Sequence, residues 1–424
     1  MNLKKLWKQF LPLSLSDIVM ALGDPLHHAA LAQLDRPREH LAAYGVAKSL
    51  AIFFESPIIM LLHAANALAG NPVSRLALKK FTSRFCLFLS VIFSLLLAPF
   101  IYPWFSKNIL GLGDDISALA LSILFFLIPW PLVIGWRRFY QGQLIRYGFG
   151  NVIGKASIIR VFYVAGVLYF GVKFLFPATA VAGLALMGGI VVESAIVISN
   201  YYFRRDSFDK VLDSEEKQKI LPQDTWQAWN FFWPLSLSMM IVWGGRVLLT
   251  ALVARAGDAQ LALAVWPVSW GIVLLLSNST RMIQQITISN KNQMNGMLLA
   301  KFTLSVGAVF TLPLVLLSIW GKSFLLFYLG NDLELVTAVL PILRWCMLFP
   351  MLIALQNALQ GYLIGDGKTK LVNIATVISV FCLAIITWLL IIYGMKGAQA
   401  AALGVIISML IEISILKYSL GNKT

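Results

Sequence analysis

The stretch FLPLSLSDIVMALGDPLHH, which runs from Phe10 to His28, begins a long apolar run and carries two carboxylates inside it, Asp17 and Asp24. Seven residues is close to two helical turns, so both aspartates fall on one face of a helix. The first heptad, FLPLSLS, returns later in the chain as FWPLSLS at Phe232–Ser238. The stretch therefore predicts a duplicated membrane protein with acids in its first span.

The composition is that of a polytopic membrane protein. Hydrophobic residues make up 59% of the 424 residues, charged residues only 12%, and the mean hydropathy is +0.80, whereas a soluble domain carries roughly 25% charged residues. We predict an all-α fold of twelve transmembrane helices, because apolar runs of roughly 20 residues can each span a bilayer. The predicted spans are 8–34, 41–66, 81–105, 117–146, 150–175, 178–203, 227–255, 258–289, 297–320, 335–364, 370–393 and 397–418. Several are interrupted by prolines, namely Pro25, Pro57, Pro129, Pro131, Pro267 and Pro350.

The formal net charge of +15 lies in short basic clusters between the apolar runs. A nucleic-acid surface would need a continuous basic face on a soluble scaffold, so we expect no nucleic-acid partner. With the amino terminus inside, the inner loops hold about three times as many Lys and Arg residues as the outer loops. We therefore expect a protein of the cell membrane with both termini in the cytoplasm.

Cysteine and histidine usage predicts no metal site and no cofactor. The three cysteines lie in apolar runs without CxxC spacing, which is typical of buried thiols; they are Cys86, Cys346 and Cys382. His27 and His28 follow Asp24 at the outer end of the first span, and we interpret them as an interfacial polar pair.

Further landmarks recur at offsets of 219–222 residues. QGQLIRYG at 141–148 matches QGYLIGDG at 360–367, and Glu193 corresponds to Glu412. With six spans in each half, the two repeats have the same orientation in the membrane. The predicted domains are an N-lobe of residues 1–203, a cytoplasmic linker of residues 204–225 and a C-lobe of residues 226–424.

Several short motifs carry a family resemblance. They are FLPL at 10–13, LAAYGVAKSL at 41–50 with FF at 53–54 and Pro57, FWPLSL at 232–237, GMKGA at 394–398 and Leu403–Gly404. In these motifs the chain resembles the multidrug/oligosaccharidyl-lipid/polysaccharide (MOP, MATE-like) exporter superfamily, and within it the progressive ankylosis protein family. The resemblance implies two six-helix lobes around a central cleft that opens alternately to each side. It also implies no enzymatic chemistry and, for this branch, export of small anions such as citrate, pyrophosphate or nucleotides, whereas other branches export cationic drugs or flip lipid-linked sugars.

Charged side chains inside the predicted spans mark a pathway or a coupling site by default. The bases are Lys48, Arg137, Arg138, Arg160, Arg246, Arg281 and Arg344, and the acids are Asp17, Asp24, Glu55, Glu193 and Glu412. We interpret Lys48, Arg246 and Arg281 as binding an anionic substrate, since Arg offers a fork that matches carboxylate or phosphate. The alternative is that these bases only balance Glu55 and the two aspartates.

Asp24 and Arg246 occupy equivalent positions in the two halves, because the offset of 222 carries one to the other. We assign Asp24 to the predicted substrate site and predict that the two charges pair when the outer mouth is closed and part when it opens. The alternative is that each is neutralised inside its own lobe, Asp24 for example by Lys48.

Asp17 has no acidic counterpart, since Met239 stands at the equivalent position. We predict that Asp17 forms an ion-coupling site with Arg160, Glu193 and Arg137. Drug-exporting members of the superfamily that the chain resembles are thought to use an acid of the first span in this way. The alternative is a structural ion pair.

The function favoured by these patterns is secondary active export of a small organic or phosphorylated anion by a monomer, with a proton or sodium gradient as the driving force. The chain has no Walker A motif for direct use of ATP. It also has no HExxH, no GxSxG and no His/Asp cluster at a span end, which argues against an enzyme. The alternatives are a flippase for a lipid-linked pyrophosphate precursor and a multidrug exporter.

Overall fold

The computed structural model describes residues 2–69, 71–147, 149–204, 222–290, 294–366 and 368–421, and these residues are almost entirely helical, with no strand among them. The α-helices are α1 (Leu3–Ala21), α2 (Gly23–Leu31), α3 (Pro37–Glu55), α4 (Leu61–Leu68), α5 (Pro72–Leu96), α6 (Ile101–Trp104), α7 (Asp114–Phe126), α8 (Trp130–Arg146), α9 (Asn151–Lys173), α10 (Ala178–Phe203), α11 (Thr225–Val253), α12 (Ala259–Ser277), α13 (Met282–Asn290), α14 (Gly296–Trp320), α15 (Lys322–Tyr328), α16 (Leu333–Trp345), α17 (Phe349–Gly365), α18 (Thr369–Ile392) and α19 (Gly397–Gly421). Most of the predicted linker, residues 205–221, lies outside the described residues.

Several helices begin at capping residues that the sequence supplies. Asn71 and Ser74 form a capping box in which the Ser74 N–H donates to Asn71 Oδ1 at 2.7 Å, and Pro72 follows as the first residue of α5. A side-chain oxygen at this position satisfies an N–H that the helix itself leaves unpaired, and proline has no N–H to lose there. Asn295 caps α14 in the same way, through the N–H of Leu298 at 2.8 Å.

Several of the predicted proline breaks are bends between consecutive helices. The axis turns by 49° after Glu55, beside Pro57, and by 44° between α7 and α8, where Pro129 precedes the first turn. The equivalent pair α16 and α17 turns by 40°, next to Pro350. A proline removes one backbone hydrogen bond and clashes with the preceding turn, so it bends a helix at this point. Pro267 is different, because it lies inside the continuous helix α12.

The helices account for all twelve predicted spans. By length and composition, six helices of the described residues are long and apolar enough to cross a membrane, and four bent pairs bring the number up to ten if each pair is one span. The two remaining predicted spans, 8–34 and 227–255, correspond to α1 with α2 and to α11. The chain is therefore an all-α polytopic membrane protein, as predicted.

The chain divides into two compact units. The first unit consists of 1–45, 110–116 and 248–424, and the second unit consists of 46–109 and 117–247. Helices α3, α7 and α11 each contribute to both units. The division into lobes at residues 204–225 describes the repeat in the sequence and stays a prediction.

The repeated heptad packs in equivalent ways in the two units. In the first unit, Phe10 is fully buried and meets Phe302 edge to face, with ring centroids 5.8 Å apart. In the second unit, Phe232 is fully buried and meets Phe81 edge to face at 5.2 Å. Phe81 and Phe302 are themselves related by the repeat offset. Such aromatic pairs contribute about 0.5–1.5 kcal/mol beyond burial, so the heptad is a packing element of α1 and α11.

The QGxLIxxG repeat allows one close helix contact in each unit. A Cβ added to Gly142 of α8 would overlap the carbonyl oxygen of Leu62 in α4, and a Cβ added to Gly361 of α17 would lie 2.8 Å from the carbonyl oxygen of Gln284 in α13. Small residues at such interfaces let membrane helices approach closely. Because Leu62 and Gln284 differ by 222 in number, the repeat extends from sequence to packing.

Candidate functional site

A buried carboxylate, Glu193 of α10, is the centre of a polar cluster in the second unit. It is 2% exposed and accepts hydrogen bonds from Arg137 Nη1 at 2.5 Å and from Arg160 Nη1 at 2.9 Å, both to Oε2. Its other oxygen, Oε1, accepts from Gln141 Nε2 at 3.1 Å and from Ser157 Oγ at 3.3 Å. Helices α8, α9 and α10 thus meet at one fully hydrogen-bonded carboxylate.

A second carboxylate, Glu55 at the end of α3, extends this cluster. Its Oε1 lies 3.7 Å from Arg138 Nη2 and 3.9 Å from Arg137 Nη2, and its Oε2 accepts from Trp130 Nε1 at 3.2 Å. Lys48 is half-buried on the same helix and interacts electrostatically with Arg160 and Glu55. We call the set Glu55, Arg137, Arg138, Arg160 and Glu193 the arginine cluster; it carries three positive and two negative charges.

Local sequence explains why α8 and α9 deliver these side chains. Arg137 and Gln141 are four residues apart in α8, so both project from one helix face toward Glu193. On α10, Gly189 lies beside α9, where an added Cβ would come within 2.8 Å of Val164 Cγ2 and 3.2 Å of Arg160 Cγ. The small residue leaves room for the Arg160 stem to pass α10 and reach the carboxylate.

The second half of the chain repeats the carboxylate without the arginines. Glu412 of α19 is 3% exposed and accepts from Gln360 Nε2 at 2.8 Å and from Thr376 Oγ1 at 2.9 Å. An offset of 219 relates these three residues to Glu193, Gln141 and Ser157. The same offset relates the three arginines of the cluster to neutral residues, namely Gln356, Asn357 and Ser379.

The family of the chain follows from its match to known proteins. The family model of the progressive ankylosis protein (ANKH) matches residues 2–272, which is more than half of the chain. The chain belongs to the ANKH family. A second family model, MatE, matches residues 234–389, so the ANKH-like and MatE-like regions together cover most of the repeat and confirm the resemblance read from the sequence.

Solved structures show that this ANKH-family chain has the fold of MOP-superfamily transporters. It is similar to an inward-facing MATE-family multidrug resistance transporter, with a TM-score of 0.73 and 16% identity over 97% of both chains. It is similar to the lipid II flippase MurJ in an inward closed conformation, with a TM-score of 0.71 and 16% identity over 97% of this chain and 87% of the other. A third is a MOP-superfamily transporter from Pyrococcus furiosus Vc1, with a TM-score of 0.67 and 16% identity over 100% and 96%. The family is one of membrane transporters.

Asp17 belongs to a different unit from the residues predicted to accompany it. It lies in α1 of the first unit, where Arg281 is its electrostatic partner, whereas Arg137, Arg160 and Glu193 lie in the second unit. Arg281 is the last residue of a 3-10 turn, Asn278–Arg281, that lies between α12 and α13. Arg281, which was predicted to bind substrate, interacts electrostatically with Asp17.

The predicted substrate residues Asp24 and Arg246 each have neighbours within their own unit. Tyr44 Oη donates to Asp24 Oδ1 at 3.3 Å in the first unit. The Arg246 guanidinium lies 4.3 Å from the ring centroid of Trp243 in the second unit, a cation–π contact. The pairing of Asp24 with Arg246 stays a prediction.

His27 and His28 differ from the interfacial pair that we expected, because both side chains are buried in the first unit. His27 Nδ1 lies 2.7 Å from the Gly23 carbonyl oxygen, and its ring stacks on Tyr44 with centroids 5.1 Å apart. The imidazoles thus help to pack α2 against α3.

Two polar partners were not predicted from the sequence: Tyr44, which donates to Asp24, and Gln141, which donates to Glu193. The recurrence of QGxLIxxG was the signal that could have identified Gln141.

Proposed function

We propose that the chain is a secondary active transporter that exports a small organic or phosphorylated anion by alternating access, coupled to a proton or sodium gradient. The observation that supports this is the arginine cluster. Its three arginines exceed its two glutamates by one charge, and Lys48 adds another base to the same electrostatic environment. Uncompensated charge inside a membrane protein is costly, and a bound anion would offset it.

The donor groups of the cluster suit a carboxylate or phosphate. Among the residues that the structure describes, the buried Nε atoms of Arg137 and Arg138 have no hydrogen-bond partner. A guanidinium presents five N–H donors in a planar fork, which matches the oxygens of such anions. The Pyrococcus furiosus relative is described as having a binding pocket of reverse polarity that suggests a different function. Substrate charge can therefore differ among proteins that share this fold.

The direct test is transport in liposomes that contain the purified protein. Labelled citrate, pyrophosphate and ATP are offered separately, with an imposed proton or sodium gradient. We expect gradient-dependent movement of at least one anion, reduced at least about tenfold by Arg138→Gln, since one lost charge-assisted contact is worth about 1.5–3 kcal/mol. The matched control is Lys173→Gln, which removes an exposed base at the end of α9. Absence of movement for every anion would contradict the proposal.

A lipid flippase is the second candidate, and the likeness to the lipid II flippase MurJ supports it. In that case the arginine cluster would hold a pyrophosphate head group. Scrambling of a polyprenyl-pyrophosphate lipid in the same liposomes, without movement of any free anion, would favour the flippase. Efflux of a cationic dye would instead favour a multidrug exporter.

The orientation and the assembly state are part of the same proposal. The basic bias of the predicted inner loops supports cytoplasmic termini in the cell membrane, and we propose a monomer. Tags at each terminus that protease reaches only from the cytoplasmic side would agree with this orientation. A sedimentation mass in detergent equal to one chain would agree with a monomer, and cleavage from the outer side or a larger mass would contradict it.

A further inference from the structure

Two equivalent buried glutamates differ in their electrostatic surroundings, which are positively charged at Glu193 and neutral at Glu412. Glu193 and Glu412 are both almost fully buried, and each accepts from a glutamine and a hydroxyl at repeat-related positions. Glu193 additionally forms ion pairs with Arg137 and Arg160. Among the described residues, no basic side chain lies within ion-pair distance of Glu412, and its hydrogen bonds come only from neutral groups. The second half thus has the equivalent carboxyl but, among the described residues, not the equivalent counter-charge.

The helices packed around Glu412 place no basic residue in their central turns. Helices α12 and α17 contain no charged residue. The charged residues of α16, α18 and α19 stand toward helix ends, apart from Glu412 itself; they are Glu334, Arg344, Lys370 and Lys417. An ionised carboxylate that is buried without a cation is strongly disfavoured, and it becomes stable when it is neutralised.

The hydrogen bonds at Glu412 are compatible with both a charged and a neutral carboxyl. Gln360 Nε2 donates to Oε1, and the single proton of the Thr376 hydroxyl is shared between Oε1 at 2.9 Å and the Val372 carbonyl oxygen at 3.1 Å, while Oε2 has no donor among the described residues. A carboxylic acid keeps one oxygen as acceptor and carries the proton on the other. A proton can therefore bind at Oε2 without any neighbouring donor having to move. The carboxylic acid that forms keeps the hydrogen bonds of Gln360 and Thr376 to Oε1.

A polar path continues from this site toward α13. Gln284 Nε2 donates to Gln360 Oε1 at 3.2 Å, and Gln360 in turn donates to Glu412. Gln284 is half-buried, and the repeat places the apolar Leu62 at its position in the first half. The amide chain therefore occurs at the glutamate that lacks arginines.

We propose that Glu412 is a reversible proton-binding site of the second half of the chain, with Gln360 and Thr376 as its positioning residues. Its role as the site of proton coupling rests on the proposed transport function, but proton binding itself does not. Glu193 is the ionised counterpart, which remains a carboxylate because its arginines stabilise the charge.

Infrared difference spectroscopy of the full chain in lipid tests proton binding without any transport. We expect a carbonyl band of a protonated carboxyl that appears and disappears reversibly over a pH series in the wild type and is absent in Glu412→Gln. Glu412→Asp, which keeps a carboxyl, should shift the band rather than remove it. The same band in wild type and Glu412→Gln would overturn the proposal. A band that sodium ions remove at constant pH would also overturn it, in favour of a sodium site.

Transport then tests the coupling role separately. In liposomes that move an anion, Glu412→Gln should abolish the dependence of transport on the proton gradient, while downhill anion exchange persists. Proton dependence equal to wild type would overturn the coupling role even if the infrared band is present. If the wild-type chain transports no substrate, the proposed function is contradicted. The infrared experiment then still tests proton binding at Glu412 independently.

Discussion

Arg137 donates to Glu193 at 2.5 Å, and this ion pair joins α8 to α10 inside the second unit. Both side chains are buried, and Arg160 adds a second ion pair at 2.9 Å from α9. A buried ion pair has a large desolvation cost, but removing only one partner costs more stability, since the other charge is then buried without a counter-charge. Side chains of three helices thus meet at a single carboxylate.

Glu193→Gln should lower the free energy of unfolding by about 3–5 kcal/mol, because Arg137 and Arg160 lose the carboxylate that both contact most closely. Thermal unfolding in detergent measures the effect. The matched control is Glu412→Gln, which has the same shape change at the equivalent position but leaves no cation unpaired. Equal destabilisation by the two substitutions would show that the arginines do not depend on Glu193.

The symmetric aromatic contacts predict equal effects at two distant positions. Phe10→Ala and Phe232→Ala should each cost about 3–5 kcal/mol of stability, since each removes a fully buried ring from an edge-to-face pair. Leu11→Ala is the control, because Leu11 is 45% exposed in the same helix. Melting temperatures of the four proteins give the comparison. Loss of stability at Phe10 alone would argue against equivalent packing of the heptads.

Close helix contact at the repeated glycines predicts steric sensitivity. Gly142→Ala should destabilise the protein, because the new Cβ meets the Leu62 carbonyl oxygen, a backbone atom that cannot swing away. Gly166→Ala in α9 has no atom within 4 Å of the added Cβ. It should be neutral or stabilise by up to about 1 kcal/mol through helix propensity. The same melting assay distinguishes them, and a neutral Gly142→Ala would contradict the close contact between α4 and α8.

An ion pair outside the spans predicts a pH effect of known sign. The Arg38 guanidinium donates to Asp332 at 2.7 and 2.9 Å and holds the pKa of that carboxyl below its usual value. The stability it contributes is present above the usual pKa of an aspartate, about 3.9, and is lost as the pH falls through the lowered pKa. Asp332→Asn should therefore destabilise at neutral pH and have no effect in strong acid.

Melting temperatures of wild type and Asp332→Asn over a pH series test this prediction. Asp115→Asn is the control, since the Asp115 side chain is 80% exposed and its 3.8 Å pair with Arg36 should contribute little. A difference between wild type and Asp332→Asn that grows toward acid would contradict the assigned sign.

Sequence patterns predicted the helices and much of the arginine cluster, but they did not predict which charged residues are neighbours of Asp17. Hydrophobic length located the spans, and the recurrence of QGxLIxxG and of Glu193 as Glu412 located the repeat. Arg137, Arg160 and Glu193 were grouped in advance, and they do lie together. Asp17 was assigned to that group, yet it lies in the other unit, where it interacts electrostatically with Arg281. Helical periodicity determines the face of a helix on which a charge lies, whereas the neighbouring helix depends on tertiary packing.

The electrostatic interaction of Asp17 with Arg281 allows the two interpretations of Asp17 to be separated. If this interaction is structural, Asp17→Asn should destabilise the protein, and the double variant Asp17→Asn with Arg281→Gln should recover most of the stability, because neither charge is then left without the other. If Asp17 also couples protons, both variants should lose the dependence of anion transport on pH, whatever their stability. Melting temperatures and transport over a pH series measure the two roles independently. Unchanged proton dependence in Asp17→Asn would leave Asp17 with a structural role only, and proton coupling would then have to rest on another carboxyl, for which Glu412 is our proposal.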